Sequence, residues 1–438
     1  MNYGSLDSGN TKNEKSQSTN EETAEENTKG LGLISAALFI AGEMAGSGIL
    51  ALPQALVNTG PVGVVLLLLF CFNAAYGGIR LGNCWQIVEQ RYPEHRIPTR
   101  NPYSVIALRA IGKFGSSIVS ICVRITLFGA GTVYLLLSSQ IIQELLLDVF
   151  PEMTECAYFL LIALSITPMI WLSSPKDFRF VGLGAILTTV GACLIFLFQI
   201  IVDAKSVDRV PRKIHGFHDF FISFGTILFA FGGASTFPTI QNDMKNKNSF
   251  SKSVTMAFIV IMLLYFPISY GGYAVYGEGV NTNLALSLTK SRLIDIGNIL
   301  MAIHLIFAFL IVMNPVFQDV EESFNMSKNF SLKRCFWRSM IMAMVILVGE
   351  TVPQFGKILS LIGGSTITLL TFVFPPYFYM KLSDMESQDW PRRIIPLYER
   401  VYIWELIAIG VIGGGACTFS AVNAIFGSNS LSRPCYWR

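Results

Sequence analysis

Charge is scarce in this chain. Asp, Glu, Lys and Arg make up 14% of its 438 residues, against about 25% in a typical soluble protein. That excludes disorder over most of the length, and a formal net charge of +3 is too small to mark a nucleic-acid binder. The eight cysteines are scattered singly, with no zinc or framework spacing. His215 and His218 share a loop but have too few companions for a metal site. No G-x-x-x-x-G-K-[ST], H-E-x-x-H or G-x-S-x-G occurs, so neither a nucleotide-driven pump nor an enzyme is indicated. No cofactor and no metal are expected.

Apolar residues, by contrast, are abundant at 52%. That fraction is ~228 residues, close to the ~220 that eleven bilayer crossings of about 20 residues require. Eleven apolar stretches are long enough to cross, at 31–56, 61–83, 115–143, 156–173, 180–202, 219–241, 253–276, 293–318, 336–352, 355–381 and 400–426. Each exceeds a barrel strand and none alternates, so helix is the only form available. The chain reads as an all-α polytopic membrane protein with the lipid bilayer as its solvent.

Residues 1–29 are polar, with the acidic cluster Glu21, Glu22, Glu25 and Glu26, and are read as a disordered cytosolic tail. Tyr3-Gly4-Ser5-Leu6 fits a tyrosine-based sorting pattern, a signal short enough to arise by chance. Lys and Arg set the orientation. With the N-terminus inside, 22 fall in inside segments and 9 outside, with Arg124 within the third span. Lys205, Arg209, Arg212 and Lys213 dissent. The triplets Asn325-Met326-Ser327 and Asn329-Phe330-Ser331 fall inside and are expected to carry no glycan. Residues 427–438 become a short extracytosolic tail. Cys156 and Cys435 are the cysteines placed outside, so at most one disulfide could join the fourth span's start to the tail; free thiols are expected instead because of their distance in sequence and the floppy tail.

Two spans are broken by glycine. The first reads ISAALFIAGEMAGSGILALPQAL, with Gly42, Gly46, Ser47 and Gly48 at its centre. The sixth reads DFFISFGTILFAFGGASTFPTIQNDM, with Gly232-Gly233 at its centre and Pro238 after it. Glycine costs a helix roughly 1 kcal/mol relative to alanine and an internal proline about 3. In lipid a freed backbone group has no water to turn to, so a break persists only where it lines a protein cavity. Eleven spans divide as five, five and one, and the broken spans head each five. An odd number per half makes the halves inverted repeats, here 31–202 and 219–381, followed by 400–426. Paired interruptions at corresponding places point to a transporter's midplane site. Close packing by small residues is the competing explanation, and Gly42-x-x-x-Gly46 fits it when taken alone.

An unwound turn leaves a half-helix N-terminus for a carboxylate and stranded carbonyls for an ammonium group or cation. A site with both suits a free amino acid. Gly46 and Gly48 allow close backbone approach, Ser47 adds a hydroxyl, and the carbonyls around Phe231 and Gly232 are the expected acceptors for the amine.

The motifs GSGILALPQAL, FGTILFAFGGASTFPTIQNDM and VPQFGKILSLIGGSTITLLTFVFPPYFY, with NPVFQ at 314–318, resemble the amino acid/auxin permease family over nearly all of 30–425. The resemblance implies a LeuT-like fold of ten core helices plus one, with helices 1 and 6 broken. It implies alternating access to a site formed mainly by helices 1, 3, 6 and 8. It also implies secondary amino-acid transport coupled to protons or sodium. Sodium-coupled relatives of the system A/N type carry an Asn four residues before the first Gly of the turn. Here that position is Gly42, followed by Glu43, a departure that favours protons.

Ionisable groups at membrane depth are functional candidates by default. Glu43 can load a proton at mildly acidic pH and release it in the cytosol; its bland alternative is a structural pairing. Arg124 is a partner for Glu43 or a residue that snorkels to the inner face. His304, inside span eight, is a proton-relay or substrate candidate, although a packed, hydrogen-bonded His is the commoner case. Asp243 caps or gates the sixth span. Gly363-Gly364-Ser365-Thr366 is read as a packing face that Pro375-Pro376 then breaks. The competing functional class is an amino-acid sensor with little or no flux, which would use the same site. Which amino acid, and whether the membrane is plasma, lysosomal or vesicular, the residues leave open.

Overall fold

A computed structural model describes residues 30–96, 99, 101–172, 178–206, 213, 215–326, 330–427 and 435. The N-terminal tail, most of the C-terminal tail and parts of the two Asn triplets lie outside them. Among the described residues the chain is helical with no strand; an isolated bridge joins Leu31 and Met244.

The helices are α1 (Leu33–Met44), α2 (Ser47–Thr59), α3 (Pro61–Arg91), α4 (Pro102–Leu146), α5 (Glu155–Leu172) and α6 (Phe178–Asp203). There follow α7 (Phe217–Ala230), α8 (Phe237–Asn242), α9 (Phe250–Tyr276), α10 (Arg292–Ser323) and α11 (Leu332–Thr351). The last are α12 (Phe355–Ile362), α13 (Phe374–Asp384) and α14 (Leu397–Phe426). Local chemistry sets several ends. Pro61 and Pro102 start α3 and α4, where the missing N–H costs nothing. Ser291 and Ser331 cap α10 and α11 by accepting from the N–H groups of Ile294 and Arg334. α4 turns sharply at Gly112, whose φ of 84° suits a residue without a side chain.

Among the described residues, seven helices can cross a membrane by length and composition, or eight when α1 and α2 count as one bent span; α5 and α7 are shorter apolar helices. The outer surface agrees with a bilayer. Leu68, Leu69 and Phe72 on α3, Ile259 and Leu263 on α9, and Ile412 and Phe419 on α14 all point outward and are exposed. In water such a continuous apolar exterior would be untenable; in hydrocarbon it is the expected surface.

α10 packs most extensively on α4 and α6, and α2 packs on α7. The stretch Gly363–Val373 joins α12 to α13 as a π-helix, and Thr368 donates to the Gly363 carbonyl at 2.7 Å. Its glycines serve packing: a Cβ on Gly363 would lie 2.0 Å from the Gly225 carbonyl oxygen, and one on Gly364 would strike Cys417. Pro375 and Pro376 do not interrupt the span as the sequence suggested. They sit in the first turn of α13, which tolerates proline.

The thiol expectation is also corrected. Cys156 and Cys435 form a disulfide across 279 residues of sequence, with Cα atoms 5.7 Å apart. Sequence separation says nothing about distance once α5 and the end of α14 lie at the same end of the bundle. The remaining six cysteines are free.

Candidate functional site

Helix is lost at two places that face each other. α1 ends at Met44, Ala45 and Gly46 depart from helical geometry, and α2 leaves at 56° to α1. α7 ends at Ala230, residues 231–236 form an irregular turn, and the six-residue α8 starts with Pro238 in its first turn. The buried Tyr265 hydroxyl on α9 joins the two places, lying 2.5 Å from the Met44 carbonyl oxygen and 3.2 Å from that of Ala230. Both are helix-end carbonyls; Met44 also accepts from the Gly46 N–H at 2.9 Å.

A second link crosses the gap. The Thr236 hydroxyl donates to the Glu43 carboxylate and also lies 3.0 Å from the Gly233 carbonyl oxygen. One hydroxyl has one hydrogen. When Glu43 is ionised, Thr236 gives it that hydrogen; when Glu43 is protonated, the carboxyl can donate and Thr236 turns to Gly233. The state of Glu43 is thereby tied to the irregular turn of α7–α8.

The structure separates the glycines by role. A Cβ on Gly48 would sit 2.8 Å from the Ala230 Cα, so Gly48 lets α2 pack on α7. Gly232 meets Ile367, Gly233 meets Met44, and Gly42 meets Ile186. Phe231 is fully buried, with its ring against Phe258 and Tyr265. The backbone hydrogen bonds of this turn run to the carbonyls of Leu228, Phe229 and Gly233, not to those of Phe231 and Gly232. Gly46 differs from the other glycines. Its Cβ position lies 3.2 Å from His304 Nε2 and against Tyr134, 3.5 Å from a ring carbon and 3.6 Å from the hydroxyl. Ser47 opens α2 with its hydroxyl buried and unpartnered.

His304 on α10 is buried and lies 2.9 Å through Nδ1 from the Ala185 carbonyl oxygen on α6. A carbonyl only accepts, so Nδ1 carries the hydrogen and donates. Arg124 does not reach Glu43. It pairs with Asp319 of α10 at 2.9 Å and is half exposed, because α4 carries it toward the end of the bundle where α10 finishes.

A cavity of about 410 Å³ leads to this region. Asn101, Asp243 and Asp319 line it together with Gly42, Glu43 and Thr236. It reaches Ala185 and Ala308, one turn of α10 short of His304. The sequence reading missed Thr236, Tyr265 and Tyr134. Tyr265 and Tyr134 each offered a signal, a hydroxyl inside an otherwise apolar run.

This architecture is that of a membrane transporter. The model for the transmembrane amino acid transporter protein family matches residues 29–420, and the chain belongs to that family. Among curated proteins, amino acid transporter AVT1J of Arabidopsis thaliana is 23% identical over 403 residues, 88% of this chain and 89% of its own length. Amino acid transporter AVT3B, also of Arabidopsis thaliana, is 26% identical over 411 residues, covering 89% and 92%. Among solved structures, a manganese transporter mutant from Eremococcus coleocola superposes with a TM-score of 0.58 at 12% identity, covering 92% of this chain and 89% of that one. Mhp1, a nucleobase-cation-symport-1 family transporter, superposes with a TM-score of 0.53 at 13% identity, covering 94% and 97%. At such identities these two share the fold alone, a LeuT-like transporter fold. The chain is thus a multi-pass membrane protein of an amino acid transporter family, not an enzyme.

Proposed function

We propose that the chain is a secondary carrier of amino acids that works by alternating access, coupled to protons. Its eleven spans form inverted halves at 31–202 and 219–381 with an added span at 400–426, and α1–α2 and α7–α8 are the two discontinuous spans. One observation carries the reading: the last turn of α1 and the 231–236 turn line one cavity, and the two interruptions are tied to each other by Tyr265 and by Thr236–Glu43. Two continuous helices packed for stability would not need those ties.

The substrate carboxylate is assigned to the N-terminus of α2, where backbone N–H groups and the Ser47 hydroxyl converge. Glu43 is the proton carrier, because it faces the cavity and its hydrogen bond reaches the second interruption. The N-terminus lies in the cytosol and residues 427–438 lie on the opposite face. The Lys and Arg bias supports this, as does the Cys156–Cys435 bond, since disulfides persist in oxidising compartments. Asn101, Asp243 and Asp319, which line the cavity, lie at helix ends that this orientation puts toward the cytosol.

The test is uptake of an amino acid panel into proteoliposomes at imposed pH and sodium gradients. Proton-driven accumulation of at least one amino acid is expected. Binding without accumulation would make the chain a sensor, and accumulation driven by sodium alone would remove Glu43 from coupling.

A further inference from the structure

His304 is 1% exposed, and its Nε2 has no hydrogen-bond partner. Its Nδ1 hydrogen is engaged by Ala185, so a neutral imidazole leaves Nε2 as a lone-pair acceptor. That acceptor faces Gly46, whose Cβ position would lie 3.2 Å from Nε2 and against the edge and hydroxyl of Tyr134. A buried acceptor without a donor is costly and rare. One residue on, the buried Ser47 hydroxyl is likewise unpartnered. An acceptor and a donor, both unsatisfied and adjacent across one turn of non-helical chain, are what a small zwitterion would complete.

From this geometry we infer that His304 Nε2 accepts a hydrogen bond from the substrate's ammonium group. This deepens the transport reading above and rests on it. His304 is then a substrate-binding group whose tautomer is fixed by its bond to Ala185. The surroundings suit a cation: Glu43 lies one turn before Gly46 in the chain and lines the cavity that reaches Ala185, and Arg124 is engaged by Asp319. The role also defines a substrate class. Acids with at least one N–H on the amino nitrogen fit, including those with a secondary amine. Quaternary betaines, which have no N–H to give, do not fit, and neither do acids lacking the amine.

The experiment uses the full-length protein in proteoliposomes, with a radiolabelled amino acid that the wild type takes up. Competitors are its N,N,N-trimethyl betaine and its desamino acid. The wild type is expected to favour the amino acid over both by roughly tenfold or more, the strength of one charge-assisted hydrogen bond. His304→Asn keeps a donor for Ala185 but removes the acceptor at the Nε2 position. It is expected to lose most of that preference by weakening the amino acid while leaving the desamino acid unchanged. His304→Gln places an amide oxygen near the Nε2 position and is expected to recover part of it. A wild type that binds the betaine as tightly as the amino acid overturns the inference without any variant. So does a His304→Asn protein that retains the full wild-type preference. A wild type with no uptake and no binding of any amino acid overturns the transport reading and this inference together, a result distinct from the other two.

Discussion

Replacing Tyr265 by Phe removes one oxygen atom from the point where the two interruptions meet. Nothing else need move, because the ring stays packed against Phe231. The hydroxyl is the donor near both the Met44 and Ala230 carbonyls; Met44 also accepts from the Gly46 N–H at 2.9 Å, so the Ala230 carbonyl is the one that loses its partner. An average interhelical hydrogen bond in a membrane protein is worth about 0.6 kcal/mol. Leaving a buried acceptor unsatisfied costs about 1–3 kcal/mol. Since one buried acceptor is left without a donor, the expected loss is about 1–3 kcal/mol. Purified protein in detergent should therefore melt several degrees lower, and uptake should fall because the interruptions are no longer held together. A Phe variant that melts and transports like the wild type would refute the idea that this hydroxyl joins the two breaks.

Three further outcomes are expected. Glu43→Gln should flatten the pH dependence of uptake while folding normally; an unchanged acid-stimulated slope would remove Glu43 as the proton carrier. Gly48→Leu should lower the amount of folded protein, because even a Cβ falls 2.8 Å from the Ala230 Cα. Ser47→Ala should instead keep expression and weaken substrate, and the two are told apart by fluorescence-detected size exclusion alongside uptake. Cys156→Ser should abolish the disulfide to Cys435, read as loss of the fragment-linking band on a non-reducing gel after proteolysis between them; a persisting band would mean another pairing.

Much of the membrane architecture was legible because hydrocarbon leaves few options. Long apolar runs must be helices, and glycine in their middle marks a place that needs explaining. Glu43 and His304 stood out for the same reason, as ionisable groups amid apolar neighbours. Other features were hidden by tertiary structure. Gly48 and Gly46 look alike in sequence, yet one lies against the Ala230 backbone and the other faces His304 and Tyr134. A missing side chain makes room without saying for what. Thr236 and Tyr265 act across gaps of 193 and 221 residues, distances no local pattern encodes. Arg124 was a candidate partner for Glu43 because both sit within spans. The direction in which α4 carries it decides for Asp319. The disulfide was misjudged because sequence distance stood in for spatial distance.

The most direct measurement is a density map of the purified carrier saturated with an amino acid that it transports. The account predicts a small density at the gap between α1 and α2, its carboxylate end at Ser47 and its amine end at His304. A substrate seated elsewhere, with Gly46 and the 231–236 turn drawn into unbroken helices, would contradict it.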